Sequence, residues 1–340
     1  MQRLLNIFSS VRSFWPERKQ PVARVAINMA PRSTPYGGGN QFVQQLSRYL
    51  TFHGYDVVYH LDSHVNCILI VDGRDTLTTF GLREIRAFKQ GCPSVICIHR
   101  VNECDQRKGS RFMDNLLANV NEVADYTVFI SGWLMNYHAA RWFDTVRPNS
   151  VIHNGADPRV FHPLGGQMPP NGGPFRLVTH HWSDNPMKGF PVYQEIDRLI
   201  EKQELPGVEF WVIGRWPADM QWRSARLIGP VGGHRLASLL RQCHAYVTAS
   251  LWEPGGMHFI EGAQCGLPVL FHEDGGGIVE VAERFGIGFR DNLFMAVNAM
   301  RAGHGDLRRR VLEHGPSGER MCAAYRSVIQ QLLVARGVGA

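Results

Sequence analysis

The sequence lacks two features that would place it in a membrane or in an oxidising compartment. No apolar run approaches the ~20 residues needed to cross a bilayer, and the longest, around Val65 to Val71, has the length of a strand. The seven cysteines are odd in number and scattered, and they contain no Cys-x-x-Cys pair. We therefore expect a protein that is not integral to a membrane, with reduced cysteines packed as small core residues in the cytoplasm.

Charged residues make up 19% of the chain, and apolar residues make up 44%. These values are ordinary for a globular protein and exclude disorder over most of the chain. A chain of 340 residues is longer than a single hydrophobic core usually serves. The composition and length together predict two domains.

Basic residues outnumber acidic residues, which gives the chain a net charge of +6 and a pI near 9.0. Charge alone leaves a polyanionic ligand, an anionic membrane surface and nucleic acid open. No clustered nucleic-acid motif occurs, so nucleic acid is not expected as a partner. Residues 1–20 mix apolar and basic side chains and predict either a basic amphipathic helix, peripheral on the inner face of a membrane, or a helix packed on its own domain or a frayed terminus.

The chain opens with the pattern of a strand, a helix and a second strand. A buried-strand run, Val22 to Asn28, precedes a glycine loop, Gly37 to Gly39, and a helical pattern follows. This opening also suits a dinucleotide-binding fingerprint with Asp62 as the ribose acid. Phe42 stands where the third glycine should be, and a long loop separates the strand from the glycines. A dehydrogenase is therefore not favoured.

A polar run follows a later predicted strand of the same domain. The strand Ser94 to Ile98 leads into the sequence HRVNECDQRK, so His99 is predicted just past a strand end. Open α/β sheets form their sites on that side. A lone histidine is more often structural, but the polar residues that follow it argue against a core position. His99 is therefore a candidate site residue.

The clearest linker is Leu164 to Pro174, LGGQMPPNGGP, which has four glycines and three prolines. Strands and helices alternate after it, which predicts a parallel, doubly wound sheet. The final stretch, Gly318 to Val334, has one apolar face at helical spacing. The predicted organisation is an amino-terminal segment (1–20), a first domain (21–163), the linker (164–174), a second domain (175–314) and a carboxyl-terminal helical segment (315–340).

The stretch Ser250 to Glu261, SLWEPGGMHFIE, places Glu253 and Glu261 on either side of a Pro-Gly-Gly turn. It lies between a strand-like run and a helical run, which predicts a turn at the carboxyl end of a strand, where such sheets bind ligands. Gly255 and Gly256 leave the N–H groups at the helix start open to a phosphate, and the helix dipole favours an anion there. The alternative is one acid that favours the helix dipole and one solvated helix acid.

Further motifs occur in order around this stretch. The passage VIHNGADPRVFHP spans Val151 to Pro163, a Gly-Leu-Pro-Val turn begins at Gly266, and a glycine turn at Gly275 to Gly277 precedes Glu280. In these motifs the chain resembles the GT-B glycosyltransferases of family 4, most strongly from Val151 onward. The resemblance implies an α/β fold of two Rossmann-like, doubly wound domains that face a cleft, with a carboxyl-terminal helix crossing back to the first domain.

The same resemblance implies a retaining transfer from a nucleoside-diphosphate sugar, with no cofactor and no metal. No Asp-x-Asp occurs to hold a metal against a diphosphate. Lys188 matches the diphosphate-binding lysine of the family. Ser183 stands where the family has an arginine, and His181 or Arg215 is the candidate for its place. A neutral histidine cannot do the bidentate work of a guanidinium, so the choice is left open.

By resemblance, Glu253 would bind hydroxyls of the donor sugar and Glu261 the ribose. The candidate catalytic residues are His99, expected beside the reacting sugar, together with Lys188 and Glu253. The other candidate donor-binding residues are Gly38 and Gly39 in a loop that closes over the donor, Gly255, Gly256 and Met257 around the sugar and phosphate, and Val231 in the loop near the base.

The sequence thus favours a retaining, metal-independent glycosyltransferase that acts on a glycan, a glycolipid or another hydroxyl acceptor, as in polysaccharide biosynthesis. The alternative is a catalytically weak subunit that binds the nucleotide sugar on the same fold, because the family arginine is missing. The sugar, the base and the acceptor do not follow from the sequence.

Overall fold

The structure, a computed structural model, describes residues 21–32 and 37–338. The predicted membrane-surface segment, residues 1–20, lies outside the described residues. No helix in the described part of the chain has both the length and the apolar character needed to span a membrane.

The first domain is built on six parallel strands: β1 (Arg24–Ile27), β2 (Asp56–Val58), β3 (Val65–Ile70), β4 (Ile96–Val101), β5 (Tyr126–Phe129) and β6 (Asn149–Val151). They lie in the order β2-β1-β3-β4-β5-β6. Its helices are α1 (Gly37–Phe52), α2 (Leu82–Gly91), α3 (Asp105–Lys108), α4 (Met113–Asn121) and α5 (Gly132–Ala139). The largely apolar run of β3 and the burial of all six side chains of β4 fit strands that helices cover on both faces.

The second domain has six more parallel strands: β7 (Phe175–His181), β8 (Val208–Gly214), β9 (Arg226–Ile228), β10 (Ala245–Thr248), β11 (Val269–His272) and β12 (Gly286–Phe289). Their order is β12-β11-β10-β7-β8-β9. The helices that follow are α6 (Phe190–Glu201), α7 (Gly233–Leu240), α8 (Met257–Gln264), α9 (Gly277–Ala282), α10 (Leu293–Ala302), α11 (His304–His314) and α12 (Gly318–Ala335). This is the predicted pair of doubly wound sheets.

The last helix, α12, returns to the first domain. Its residues Met321, Tyr325 and Ile329 are buried in the core formed by α1 and the first sheet. The rings of Tyr325 and Phe42 pack edge to face with their centroids 5.0 Å apart, a favoured aromatic geometry. The apolar face predicted for this segment therefore covers the first domain, as expected.

Polar contacts also join the two domains. The carboxylate of Glu280, in α9, accepts hydrogen bonds from the backbone N–H groups of Gly132 (2.9 Å) and Trp133 (2.8 Å) at the start of α5, and His153 contacts it as well. An acid at a helix amino terminus satisfies free N–H groups and favours the helix dipole. One domain thus caps a helix of the other.

Two local predictions are wrong. Strand β4 continues to Val101 instead of ending at Ile98, because all six of its side chains are buried and it pairs with strands on both sides. Gly37 to Gly39 form the first turn of α1 rather than a loop. Helices α10 and α11 were not predicted at all.

Candidate active site

A cavity of about 390 Å³ lies between the carboxyl ends of the two sheets. The first domain contributes the start of α1 and the residues that follow β4, and the second contributes the residues that follow β7 and the start of α8. The lining residues that concern the site are Gly38, Gly39, Arg100, Glu103, Lys108, His181, Ser183, Lys188, Glu253, Gly255, Gly256 and Met257. Clefts of this kind between α/β domains are preferred ligand sites.

The starts of helices α1 and α8 approach each other across this cavity. A Cβ atom placed on Gly38 would lie 2.7 Å from Cγ of Met257, which is closer than such atoms pack. Glycine at position 38 therefore allows the two domains to come together. The amino termini of both helices bring backbone N–H groups and positive dipole ends near the cavity, where an anion is favoured.

Lys188 is positioned by the turn that follows β7. It ends a short 3-10 helix, Pro186–Lys188, whose start is capped because the side chain of Asn185 accepts the N–H of Met187 at 2.8 Å. The next residue, Gly189, has a φ of +78°, and a Cβ atom there would lie 2.1 Å from the carbonyl oxygen of Ala249. Glycine at position 189 is therefore required by the backbone, and Lys188, just before it, lines the cavity.

Glu253 forms a buried ion cluster with two cations from opposite domains. Its Oε2 lies 3.0 Å from Nζ of Lys188 and 2.7 Å from Nη2 of Arg107, in α3 of the first domain. The side chains of all three residues are at most 15% exposed. The Arg107 contact falls in the range of strong, charge-assisted hydrogen bonds, and the Lys188 contact is slightly longer.

The cluster fixes the charge of its members. Burial raises the pKa of Glu253, but the charges of Lys188 and Arg107 outweigh that effect and lower it to about 2. Burial lowers the pKa of Lys188, and the nearby carboxylate opposes this shift. Glu253 is therefore an anion at neutral pH, able to accept hydrogen bonds from hydroxyl groups.

Glu261 does not line the cavity, contrary to the expectation that it faces a ribose. It lies within α8 with 1% exposure, and its Oε2 is 2.7 Å from Nε2 of the buried His180. Its other oxygen, Oε1, has no hydrogen-bond partner among the described residues. The reason is the helix geometry, because position 261 is one turn beyond the start of α8 and on the face that packs against β7.

His99 is also misplaced by the sequence argument. Because β4 runs on to Val101, His99 lies inside the strand with 1% exposure, and its Nδ1 is 3.1 Å from Nδ2 of Asn121. Burial lowers its pKa to about 3, so the imidazole is neutral. It is not among the residues that line the cavity, and its expected place beside the reacting sugar stays a prediction.

The two candidates for the missing arginine behave differently. His181 lines the cavity but is buried and lies 2.8 Å from the hydroxyl of Tyr193. Burial lowers its pKa well below the ordinary value, so it supplies no positive charge. Arg215 is exposed, donates to the carbonyl of Trp182 at 2.9 Å, and lies in a neighbouring groove that also contains Gly229. Neither residue provides a cation inside the cavity.

Val231, the candidate near the base, lies in the loop that follows β9. It is half-buried and packs against the second-domain core that contains Ile213 and Tyr246. The neighbouring residues Gly229 and Pro230 line the groove that holds Arg215. This loop therefore borders the groove next to the cavity.

Sequence reasoning missed several residues that line or support the cavity. Arg100 packs its guanidinium 4.1 Å from the ring centre of Phe42 and donates to Oδ1 of Asn154 at 2.8 Å. Asn154 in turn donates to the carbonyl of Gly255 at 2.7 Å, so this chain of contacts reaches the turn that carries Glu253. The signals in the sequence were the polar run HRVNECDQRK, which contains Arg100 and Arg107, and the motif VIHNGADPRVFHP, which contains Asn154.

Comparison with known proteins finds a family model that is similar to part of the second domain. Residues 185–290 match the family model of glycosyl transferases group 1. This segment includes Lys188, Arg215, Glu253 and Glu261, so it covers most of the second-domain side of the cavity. A search of curated protein sequences finds no match to the chain.

Solved structures match over almost the whole chain. Sucrose-phosphate synthase from Thermosynechococcus elongatus has a TM-score of 0.65 at 16% identity, covering 92% of this chain and 100% of that one. HepE of Anabaena, in complex with UDP and glucose, has a TM-score of 0.62 at 12% identity, with coverage of 90% and 99%. WaaG, a glycosyltransferase involved in lipopolysaccharide biosynthesis, has a TM-score of 0.56 at 12% identity, with coverage of 88% and 94%. These likenesses show that the chain has the GT-B fold.

Proposed function

We propose that this protein is a retaining, metal-independent glycosyltransferase that moves a sugar from a nucleoside-diphosphate sugar to a hydroxyl acceptor. One observation carries the proposal: Lys188, Glu253 and the amino terminus of α8 meet at one cavity between the two domains. All three lie within the segment that matches glycosyl transferases group 1.

The chemistry that these groups can supply fits sugar transfer. When the bond between sugar and diphosphate breaks, negative charge grows on the leaving diphosphate. Preorganised cations and N–H groups stabilise such charge, and Lys188 and the N–H groups at Gly256 and Met257 are available for this. Glu253, as a buried anion, is suited to accept hydrogen bonds from hydroxyls of the donor sugar.

The structural neighbours indicate which donors and acceptors should be tested first. HepE was solved with UDP and glucose, which supports uridine-diphosphate sugars as the first donors. WaaG takes part in lipopolysaccharide biosynthesis, which supports a glycan or lipid-linked acceptor. For this chain, a cytoplasmic location on the inner face of a membrane remains a proposal that depends on residues 1–20.

A second candidate function is a catalytically weak subunit that binds the same nucleotide sugar. It is favoured by Ser183 at the position of the family arginine, by the neutral state of His181 and by the outward position of Arg215. On this view the domain pair holds the donor, but the leaving diphosphate is stabilised too weakly for turnover.

The test is the release of nucleoside diphosphate from a panel of nucleotide sugars, measured without an acceptor and with EDTA. We expect slow hydrolysis of one donor, unchanged by EDTA, because the diphosphate is held by Lys188 and N–H groups rather than by a metal. Loss of turnover in EDTA that Mg²⁺ or Mn²⁺ restores would contradict metal independence. Tight binding of a donor without any release would favour the second function.

A further inference from the structure

We propose that Arg107 is a positioning residue that carries the charge of Glu253 while Lys188 turns to the donor diphosphate. This inference rests on the proposed function, because it assumes that a nucleoside diphosphate binds in the cavity. In this proposal the first domain supplies a cation, Arg107, that supports the phosphate site of the second domain.

The geometry of Arg107 is that of a buried counter-ion. Its residue exposure is 5%, its Nη2 lies 2.7 Å from Oε2 of Glu253, and its Nη1 is 3.5 Å from the carbonyl oxygen of Leu251. Among the described residues, Glu253 is the only carboxylate with which Arg107 forms an ion pair. Its neighbour Lys108 pairs separately with Glu103 at 2.8 Å.

Lys188 contacts the same oxygen of Glu253 at 3.0 Å. One carboxylate oxygen therefore holds two cations, and the two nitrogen atoms must lie close to each other. A diphosphate that binds at the start of α8 competes with Glu253 for Lys188. If Lys188 were the sole partner of Glu253, its departure would leave a buried carboxylate without a counter-charge, which is strongly unfavourable.

Arg107 removes that penalty, because its ion pair with Glu253 persists when Lys188 moves to the phosphate. The fixed, planar set of donors on a guanidinium suits this holding role better than a flexible ammonium group does. Arg107 thus leaves Lys188 able to contact the diphosphate while Glu253 keeps a counter-ion.

The test is a double-mutant cycle of Arg107→Ala and Glu253→Gln in the full chain, read by calorimetry with the nucleoside diphosphate of the best donor. Arg107→Ala alone should weaken binding by about 10-fold, because Lys188 then remains paired with Glu253. In the Glu253→Gln background the same substitution should have little effect, since no carboxylate competes for Lys188. Arg107→Lys should restore part of the affinity, and Arg83→Ala, whose side chain is 94% exposed, serves as the control.

A purely structural role for Arg107 would give a different pattern. Arg107→Ala would then weaken binding equally in both backgrounds, and this result, or an effect no larger than that of Arg83→Ala, would overturn the inference. Melting temperatures of all variants show whether each one folds, and the double variant removes both charges together. Coupled binding without any sugar turnover would count against the proposed function but would support the role of Arg107.

Discussion

Replacing Glu253 by glutamine should separate recognition of the sugar from recognition of the diphosphate. The substitution keeps the shape of the side chain but removes the charge that Lys188 and Arg107 share. A sugar hydroxyl then loses a charge-assisted hydrogen bond worth roughly 1.5–3 kcal/mol, which is about 10- to 150-fold in affinity for the nucleotide sugar. The bare nucleoside diphosphate should bind as well as before or more tightly, because both cations lose their competing anion.

The same substitution should destabilise the free protein. Two buried cations would remain beside each other without their carboxylate, and breaking a buried ion pair costs about 3–5 kcal/mol. The melting temperature should therefore fall, and saturating nucleoside diphosphate should restore part of the loss because it supplies the missing negative charge.

Calorimetry with both ligands on the wild type and on Glu253→Gln measures this difference. Glu209→Gln is the matched control, since Glu209 is a half-exposed acid of β8 that pairs with Arg176 away from the cavity. Equal weakening of both ligands would refute the reasoning that Glu253 contacts the sugar. An effect no greater than that of the control would remove Glu253 from the site altogether.

Three further predictions concern other parts of the molecule. Glu261→Ala should lower stability by about 1–3 kcal/mol, seen as a lower melting temperature, because it leaves Nε2 of the buried His180 without its partner. Weaker binding of both ligands at unchanged stability would instead indicate a direct ribose contact. Burial raises the pKa of Glu280, but hydrogen bonds from His153 and two N–H groups outweigh it and lower that pKa, so the stabilisation by Glu280 should be complete above its unfolded pKa of about 4.3 and lost as pH falls through the lowered value. The free energy of unfolding of the wild type, measured against pH, should therefore fall over this range, and Glu280→Gln should flatten that dependence. Deletion of residues 1–20 should release the protein from anionic vesicles without changing donor binding, and equal vesicle binding by the shortened chain would contradict a membrane role.

Much of the fold follows from local patterns in the sequence. The buried-strand runs and the alternation of strands with helices predict two parallel sheets, and the apolar face of Gly318 to Val334 predicts a packed final helix. The strand ends are less certain, because an apolar run does not say where pairing stops. Strand β4 ends three residues later than predicted, so His99 lies in the core rather than just past a strand end.

The site was only half predictable for a similar reason. Lys188 and Glu253 lie in turns whose glycines and flanking strands are visible in the sequence, so their meeting could be expected. The contact of Arg107 with Glu253 spans 146 positions and two domains, and no local pattern reports it. Glu261 was expected in solvent or at a ribose, yet its burial depends on how α8 packs against β7, which is a tertiary property.

The retaining transfer is tested most directly by the initial rate and stereochemistry of sugar release, followed by proton NMR with the preferred nucleotide sugar. The released or transferred sugar should first appear with the anomeric configuration of the donor. Lys188→Ala should lower turnover by about 100-fold or more, while Lys202→Ala, at the exposed end of α6, should leave it unchanged. Inverted product, or equal rates for the two lysine variants, would contradict a retaining transfer assisted by Lys188.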